Sequence, residues 1–128
     1  MIKNGYTCVL YNDGVEHHSE LRGVKPLIDF LESGIDFHGF CAADKTVGAG
    51  AAHLYVLLGI KEVWANIISE EGRKILQQNN IKVISEKVVP FIINRSGDGV
   101  CPIETAVKGI ACSEKALKTI KQTLNSIK

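Results

Sequence analysis

The segment that most constrains the fold is residues 47–58, which is apolar on almost every side of the helix that it predicts. Such a helix has to be covered all round, so we expect it to lie between a β-sheet and another layer of structure. It is too short to cross a bilayer, and Gly59 marks its end. The histidine within it, His53, is interpreted as a core or interface residue.

Strand-like and helix-like segments alternate around that helix. Residues 37–43, 63–68 and 81–85 are rich in strand-forming side chains, whereas 26–33 and 69–80 have helical spacing. This alternation is typical of a mostly parallel sheet that is covered by helices.

The two ends of the chain add further elements. Residues 6–20 predict a hairpin around the turn signal Asn12-Asp13-Gly14, which gives the sheet an antiparallel margin. Pro90 indicates an edge strand or irregular chain, and two helices are predicted within residues 102–127. We therefore predict an α/β fold, with three α/β/α layers and a mixed, mostly parallel sheet, in a single domain over residues 1–128.

The charge balance argues against several classes of partner. The chain has 15 basic and 14 acidic residues, for a net charge of +1. We therefore expect neither nucleic acid nor a membrane as a partner, since no general electrostatic attraction is available. The apolar helices and the near-neutral charge permit a homo-oligomer.

The cysteines indicate the compartment. Cys8, Cys41, Cys101 and Cys112 show no C-x-x-C spacing, and the chain begins without a long apolar segment. We expect reduced thiols and a cytoplasmic location.

The candidate site follows from the predicted sheet. In an open α/β sheet, ligands bind beyond the carboxyl ends of the strands. Three predicted loops leave such ends, and we expect them to share one rim. Polar side chains of these loops define a predicted small-molecule pocket: Asp44, Lys45, Ser69, Asn94, Arg95, Cys101 and Glu104.

The longest of these loops, residues 94–101, is rich in glycine. Backbone N–H groups around Gly97 and Gly99 can form a small nest for an anion. Arg95 can hold a carboxylate or phosphate, or it can pair with an acid of its own segment. The loop lacks the spacing of a P-loop, so no such nucleotide site is predicted.

Cys101 stands at a predicted helix start, with Pro102 in the first helical position and Glu104 placed as in a capping box. A helix N-terminus favours a thiolate, so Cys101 is a candidate nucleophile. The alternatives are a polar group that lines the pocket and a buried, inert thiol. If the chain is an enzyme, Cys101 is the candidate nucleophile, with Asp44 or Glu104 as acid or base.

The other two loops also leave alternatives open. Asp44 either caps the helix that follows it or contacts the ligand. Lys45 is a solvated side chain or a ligand contact, and the ligand role is the more attractive because the dipole disfavours a cation at a helix start. Ser69 is read chiefly as a helix cap.

The spacing of histidines and cysteines does not favour a metal. His38 and Cys41 lie three apart on a predicted strand and so point to opposite faces. Cys101 and Cys112 lie at opposite ends of one predicted helix. We expect no metal site and no cofactor.

Segments 43–48, 61–70 and 92–107 resemble a small prokaryotic domain family of unknown function within the cytidine-deaminase-like superfamily. The resemblance implies a cytidine-deaminase-like fold and a pocket at the polar positions named above.

Zinc deaminases of that superfamily carry H/C-x-E at one helix start and P-C-x-x-C at the next. The corresponding predicted starts here carry Asp44-Lys45-Thr46 and Ser69-Glu70-Glu71, so zinc and deamination are not carried over. The leading hypothesis is a metal-independent site for a small anionic molecule, with nucleotides among the candidates. The alternatives are a non-catalytic regulatory or ligand-sensing module and a zinc-dependent nucleoside deaminase.

Overall fold

The computed structural model describes residues 8–19, 24–90, 92, 102–110 and 112–126 of the chain. Its sheet has five strands in the order β2-β1-β3-β4-β5. The strands are β1 Cys8–Asn12, β2 Val15–Ser19, β3 Cys41–Val47, β4 Glu62–Ser69 and β5 Lys82–Val89. Strand β1 is antiparallel to both neighbours, whereas β3, β4 and β5 are parallel, so β1 alone opposes the other strands. The predicted mixed, mostly parallel sheet is confirmed.

The hairpin between β1 and β2 closes where the turn signal predicts it. Asp13 and Gly14 have φ angles of 45° and 83°, both in the left-handed region. Two successive positive φ angles characterise the tight turns whose twist matches that of the flanking strands. The hairpin forms one edge of the sheet, with β1 next to β3.

The described helices are α1 Lys25–Glu32, α2 Ala49–Leu58, α3 Glu70–Gln78, α4 Pro102–Val107 and α5 Ser113–Ser126. Helix α2 is the centre of the fold, because all of its residues except Val56 and Leu57 are buried. It ends at Gly59, whose φ of 77° is the left-handed conformation common at helix C-termini. The prediction of a helix enclosed on nearly all sides is confirmed.

The surroundings of α2 define the layers. Its Tyr55 reaches the sheet at Asp44 of β3, and α1 and α3 both pack against α2. This is the arrangement expected of right-handed crossovers, which place the three helices over the same face. Successive helix residues are about 100° apart, so His53 lies on the side of α2 away from Tyr55. That outer side meets Ser113 at the start of α5, and Gly50 meets Ile103 of α4.

The three-layer α/β class is therefore confirmed. Among the described residues the layers follow the order sheet, α1 to α3, then α4 and α5, whereas the predicted α/β/α order places the sheet in the middle. Helix α2 is apolar enough to accept helices on its outer surface as well as the sheet beneath it. No described helix is long and apolar enough to cross a membrane.

The boundary between β3 and α2 differs from the prediction. The sequence predicts a strand over 37–43 followed by helix caps at Asp44 and Thr46, but Asp44 lies within β3 and Gly48 is the N-cap of α2. The reason is non-local, because Asp44 pairs with Cys8 on one side and with Ala65 on the other. Pairing with two strands outweighs a local capping preference.

Phe37, predicted in the strand, instead lies in the loop before it. It is 2% exposed and packs edge-to-face against Phe30 of α1, Phe40 and His17 of β2. Such aromatic pairs stabilise a fold beyond their buried area. This cluster joins α1 to the hairpin margin of the sheet.

Candidate functional site

Two helices begin side by side at the carboxyl ends of adjacent parallel strands. Val47 of β3 pairs with Ile68 of β4, and α2 and α3 start directly after these strands. A Cβ atom on Gly72 of α3 would lie 3.0 Å from the carbonyl carbon and oxygen of Gly48. The start of α3 thus touches the N-cap of α2, and a side chain at position 72 would require backbone atoms of Gly48 to shift.

The two helix starts are capped differently. The Ser69 hydroxyl accepts a hydrogen bond from the Gly72 N–H at 3.0 Å, and Glu70 and Glu71 lie in the first turn of α3. The capping interpretation of Ser69 is confirmed. Helix α2 has glycine as its N-cap, no side-chain cap and no acid in its first turn. The first turn of α2 therefore contributes no acid of its own to compensate the positive end of the helix.

Asp44 lies in the interior next to this edge. Its Oδ2 atom accepts a hydrogen bond from the Tyr55 hydroxyl at 2.7 Å, and its Oδ1 atom accepts one from the Thr46 N–H at 3.3 Å. Burial raises the pKa of Asp44 to about 7, although the hydrogen bonds from Tyr55, Thr46 and Lys45 oppose the shift. The carboxyl group therefore exchanges its proton near neutral pH.

Tyr55 also links Asp44 to Cys8 of β1. The Cys8 Sγ atom lies 3.3 Å from the Tyr55 hydroxyl, and both side chains are buried. Burial raises the pKa of Cys8 and the pKa of Tyr55 above their ordinary values. Cys8, Tyr55 and Asp44 thus form a buried hydrogen-bonded chain in which Asp44 is the group that titrates near neutrality.

Sequence reasoning missed the roles of Tyr55 and Cys8 in this series of buried hydrogen bonds. The signal was present, because Tyr55 has a polar hydroxyl within an otherwise aliphatic helix and Asp44 has a carboxyl within an apolar strand. Each group needs a buried partner. Only the pairing of β1 with β3, and the position of α2 above them, shows that the two satisfy one another.

The predicted site residues that the structure describes do not share one surface. Asp44 and Ser69 are buried at 8% and 1% exposure, whereas Lys45 is exposed. Asp44 turns toward α2, and neighbouring residues of a strand project to opposite faces. Asn94, Arg95, Gly97, Gly99 and Cys101 lie outside the described residues, as does the side chain of Glu104, although Glu104 is within α4.

A shallow groove of about 330 Å³ runs between α3 and β5, lined by Glu70, Arg73, Lys74, Gln77 and Val88. Side chains of both charge signs line it, so it does not select a ligand by charge. In the described part of the chain, no group of three or more His, Cys, Asp or Glu side chains could hold a metal ion.

Among known structures, one with a TM-score of 0.80 supports the fold. A DUF1893 family protein (TM1506) from Thermotoga maritima aligns with a TM-score of 0.80 and 22% identity, covering 94% of this chain and 80% of its own. The apo dCMP deaminase of the cyanophage S-TIM5 aligns with a TM-score of 0.48 and 15% identity, covering 61% of this chain and 77% of its own.

Comparison with protein sequences identifies the family. No curated protein matches the sequence. The model of the family described as "TM1506: Domain of unknown function (DUF1893)" matches residues 1–124. This match covers nearly the whole chain and confirms the predicted membership of a domain family of unknown function. The chain belongs to the DUF1893 family.

Proposed function

We propose that this protein binds a small anionic molecule, without a metal, beyond the carboxyl ends of β3 and β4. One observation carries the proposal. Helix α2 begins at this edge with Gly48 as its N-cap, a residue that has no side chain to cap the helix, and with no acid in its first turn. Helix N-termini of this kind attract anions through their N–H groups and the helix dipole.

Lys45 is close to this helix start in the chain, but it alternates with Asp44 on β3 and so projects to the face of the sheet opposite α2. We therefore propose that its long side chain reaches over the end of β3. Lys45 is exposed and lies three residues before Gly48. In the proposal, Lys45 and Arg95 hold the anionic group, with Asn94 and the backbone around Gly97 and Gly99 as further contacts. The parts played by Arg95, Asn94 and the glycines rest on sequence and on the family resemblance.

Asp44 has a supporting role in this proposal. Its carboxyl group is engaged by the Tyr55 hydroxyl and by the Thr46 N–H, so we assign it to holding the end of β3 in place. If the site performs chemistry, Cys101 is the proposed nucleophile and Glu104 the proposed acid or base. A nucleotide is one candidate ligand, because phosphate groups bind at helix N-termini.

A non-catalytic ligand-sensing module is the second candidate. It is favoured by the fact that Asp44, one of the three candidate catalytic residues, has its carboxyl oxygens committed to internal hydrogen bonds. A zinc-dependent nucleoside deaminase is the third, and stoichiometric zinc together with turnover of cytidine would establish it instead.

Thermal unfolding in the presence of orthophosphate and of nucleotides tests the binding proposal. Ligand at about a hundred times its Kd stabilises the folded state by about 2.7 kcal/mol, which is readily measured. We expect at least one of these anions to raise the melting temperature, and Lys45→Ala to weaken its binding about tenfold or more.

Lys118→Ala is the matched control, since it removes an exposed lysine from α5. It should bind the anion as the wild type does. Equal weakening by both substitutions would show only a general charge effect. The absence of any saturable shift with phosphate or nucleotides would refute the proposal.

Alkylation of Cys101 distinguishes the enzyme hypothesis from the hypothesis of a ligand-sensing module. Rapid and selective alkylation of Cys101 at neutral pH, slowed by the bound anion, would favour the enzyme. Anion binding without such thiol reactivity would favour the sensing module.

A further inference from the structure

Strand β5 forms the second edge of the sheet, opposite the hairpin. It pairs in parallel with β4, and among the described residues no other strand lies beside it. It is eight residues long, as is β4. A long edge strand presents a row of N–H and C=O groups with which a strand of another chain can pair.

The backbone shows which residues of β5 face this edge. The Lys82 N–H donates to the Lys61 carbonyl at 3.1 Å, so the backbone groups of residue 82 point toward β4. Backbone groups alternate in direction along a strand, so those of Ile84 also point toward β4. Those of Val83 and Ser85 point outward and offer two donors and two acceptors to a neighbouring strand.

The side chains of Lys82, Ile84 and Glu86 share the face of the sheet that points away from the helices. Ile84 pairs with Trp64 of β4, and the residues on either side of Trp64 are buried beneath the helices. Ile84 is half-buried, whereas Lys82 and Glu86 are exposed. Lys82 lies 3.7 Å from Glu62, yet its side chain is 69% exposed, so a second acid can lie beside it.

Two copies of this segment complement each other in one antiparallel register. When the pair is centred on residue 84, Ile84 meets its own copy, and Lys82 of each chain lies opposite Glu86 of the other. Val83 of each chain lies opposite Ser85 of the other, and these are the residues with outward backbone groups. Side chains come closest at the positions between such hydrogen-bonded pairs, which is where Ile84 and the charged pairs lie.

The neighbouring registers lack this complementarity. A pair centred on Glu86 or on Lys87 would place like charges directly opposite each other, which is destabilising. A pair centred on Val83 or on Ser85 would place no two charged residues opposite each other. Of these five registers, the one centred on Ile84 alone sets opposite charges face to face.

We propose that two copies of this chain associate through β5 in the register centred on Ile84, which joins their two five-stranded sheets across a two-fold axis. Backbone hydrogen bonds at Val83 and Ser85 hold the strands together, and the Lys82–Glu86 pairs fix the register. Because the interface is formed by a single strand of each chain, the dimer is in reversible equilibrium with the monomer.

Charge reversal tests both the dimer and its register. Sedimentation equilibrium of the full chain between about 10 μM and about 1 mM should show a monomer–dimer equilibrium for the wild type. Lys82→Glu and Glu86→Lys each place like charges opposite each other, so each variant alone should dimerise at least about tenfold more weakly. A mixture of the two variants restores both oppositely charged pairs and should form a heterodimer about as stable as the wild-type dimer.

Lys87→Glu is the matched control, since it reverses a charge on the same strand at a position that lies opposite Ile81 in this register. It should dimerise as the wild type does. Equal weakening by Lys87→Glu would show a general charge effect and would contradict the proposed register.

A wild-type chain that stays monomeric at about 1 mM would overturn the proposal, whatever the variants do. So would a dimer that neither Lys82→Glu nor Glu86→Lys weakens, or a mixture of these variants, each with the circular dichroism of the wild type, that forms no heterodimer. None of these results depends on anion binding at the edge of β3 and β4.

Discussion

At the scale of single residues, Asp44 shows how an acidic side chain can occupy a strand of the core. Its carboxyl group is 8% exposed and is satisfied by the Tyr55 hydroxyl and by backbone N–H groups. A buried carboxylate without such partners would cost several kcal/mol. Tyr55 thus supplies a hydrogen bond that this buried carboxyl group needs.

Removing that hydroxyl should destabilise the protein in a pH-dependent way. Tyr55→Phe keeps the ring but leaves Asp44 without its shortest hydrogen bond, so we expect a loss of about 1–3 kcal/mol. The loss should be larger at about pH 8 than at about pH 5, because an ionised carboxyl costs more to bury unpaired than a protonated one. Urea unfolding at the two pH values measures it.

Tyr11→Phe is the control, because it removes a hydroxyl from a tyrosine that is 39% exposed. It should cost little at either pH. If Tyr55→Phe lowered the stability equally at both pH values, the link between Tyr55 and the ionisation of Asp44 would be wrong.

At the scale of elements, the contact between the starts of α2 and α3 depends on one missing side chain. Glycine at position 72 lets the first turn of α3 touch the Gly48 carbonyl, and the Ser69 hydroxyl completes the cap. The acids and the serine at this helix start are local signals that the sequence displays. The crowding at position 72 comes mainly from backbone atoms of the neighbouring helix start, which a local pattern does not show.

Gly72→Ala separates local from tertiary effects. Alanine is favoured over glycine within a helix by up to about 1 kcal/mol, so an isolated α3 would be stabilised. In the protein, the new Cβ would lie 3.0 Å from backbone atoms of Gly48, which cannot move aside as a side chain could. We therefore expect a net loss of about 1–3 kcal/mol by chemical denaturation.

Gln77→Ala tests the same helix at an exposed position and should change the stability by less than about 0.5 kcal/mol. Stabilisation by Gly72→Ala would mean that the two helix starts are further apart than the structure shows.

At the scale of the whole molecule, two buried ionisable groups give stability opposite dependences on pH. The pKa of Asp44 is raised from 3.8 to about 7, so its contribution is fully present below 3.8 and is lost as the pH rises through 7. The pKa of His53 is lowered from 6.5, so its contribution is present above 6.5 and is lost as the pH falls through its folded value. Where both groups titrate, the fall in the free energy of unfolding caused by Asp44 and the rise caused by His53 partly cancel as the pH increases.

Asp44→Asn should remove the pH dependence of stability that comes from Asp44 and leave the part that comes from His53. The amide does not ionise, so stability should no longer fall as the pH rises from about 5 to about 7. Relative to the wild type, the free energy of unfolding of the variant should increase with pH by up to about 1.4 kcal/mol per pH unit in this range. Urea unfolding across the range measures the difference, and parallel curves for the two proteins would contradict the raised pKa of Asp44.

The order of elements could be predicted because its signals are local. The alternation of strand and helix, the turn at Asp13-Gly14, the cap at Ser69 and the end of α2 at Gly59 all depend on residues close together in the chain. The site could be predicted less well. Lys45 and Asp44 are neighbours in sequence, yet one is exposed and the other is bonded to Tyr55 inside the fold.

The sequence by itself determined that a nearly all-apolar helix must be enclosed. Its alternation of strand-like and helix-like segments determined the α/β class, and its match to the family model determined the family. Tertiary structure alone decided that Asp44 belongs to β3, because two flanking strands pair with it and Tyr55 of α2 satisfies its carboxyl. It also decided that α4 and α5 cover the outer side of α2, which brings Ser113 to His53. The physical reason is the same in both cases: these groups are satisfied by partners distant in the chain, and no local pattern encodes such partners.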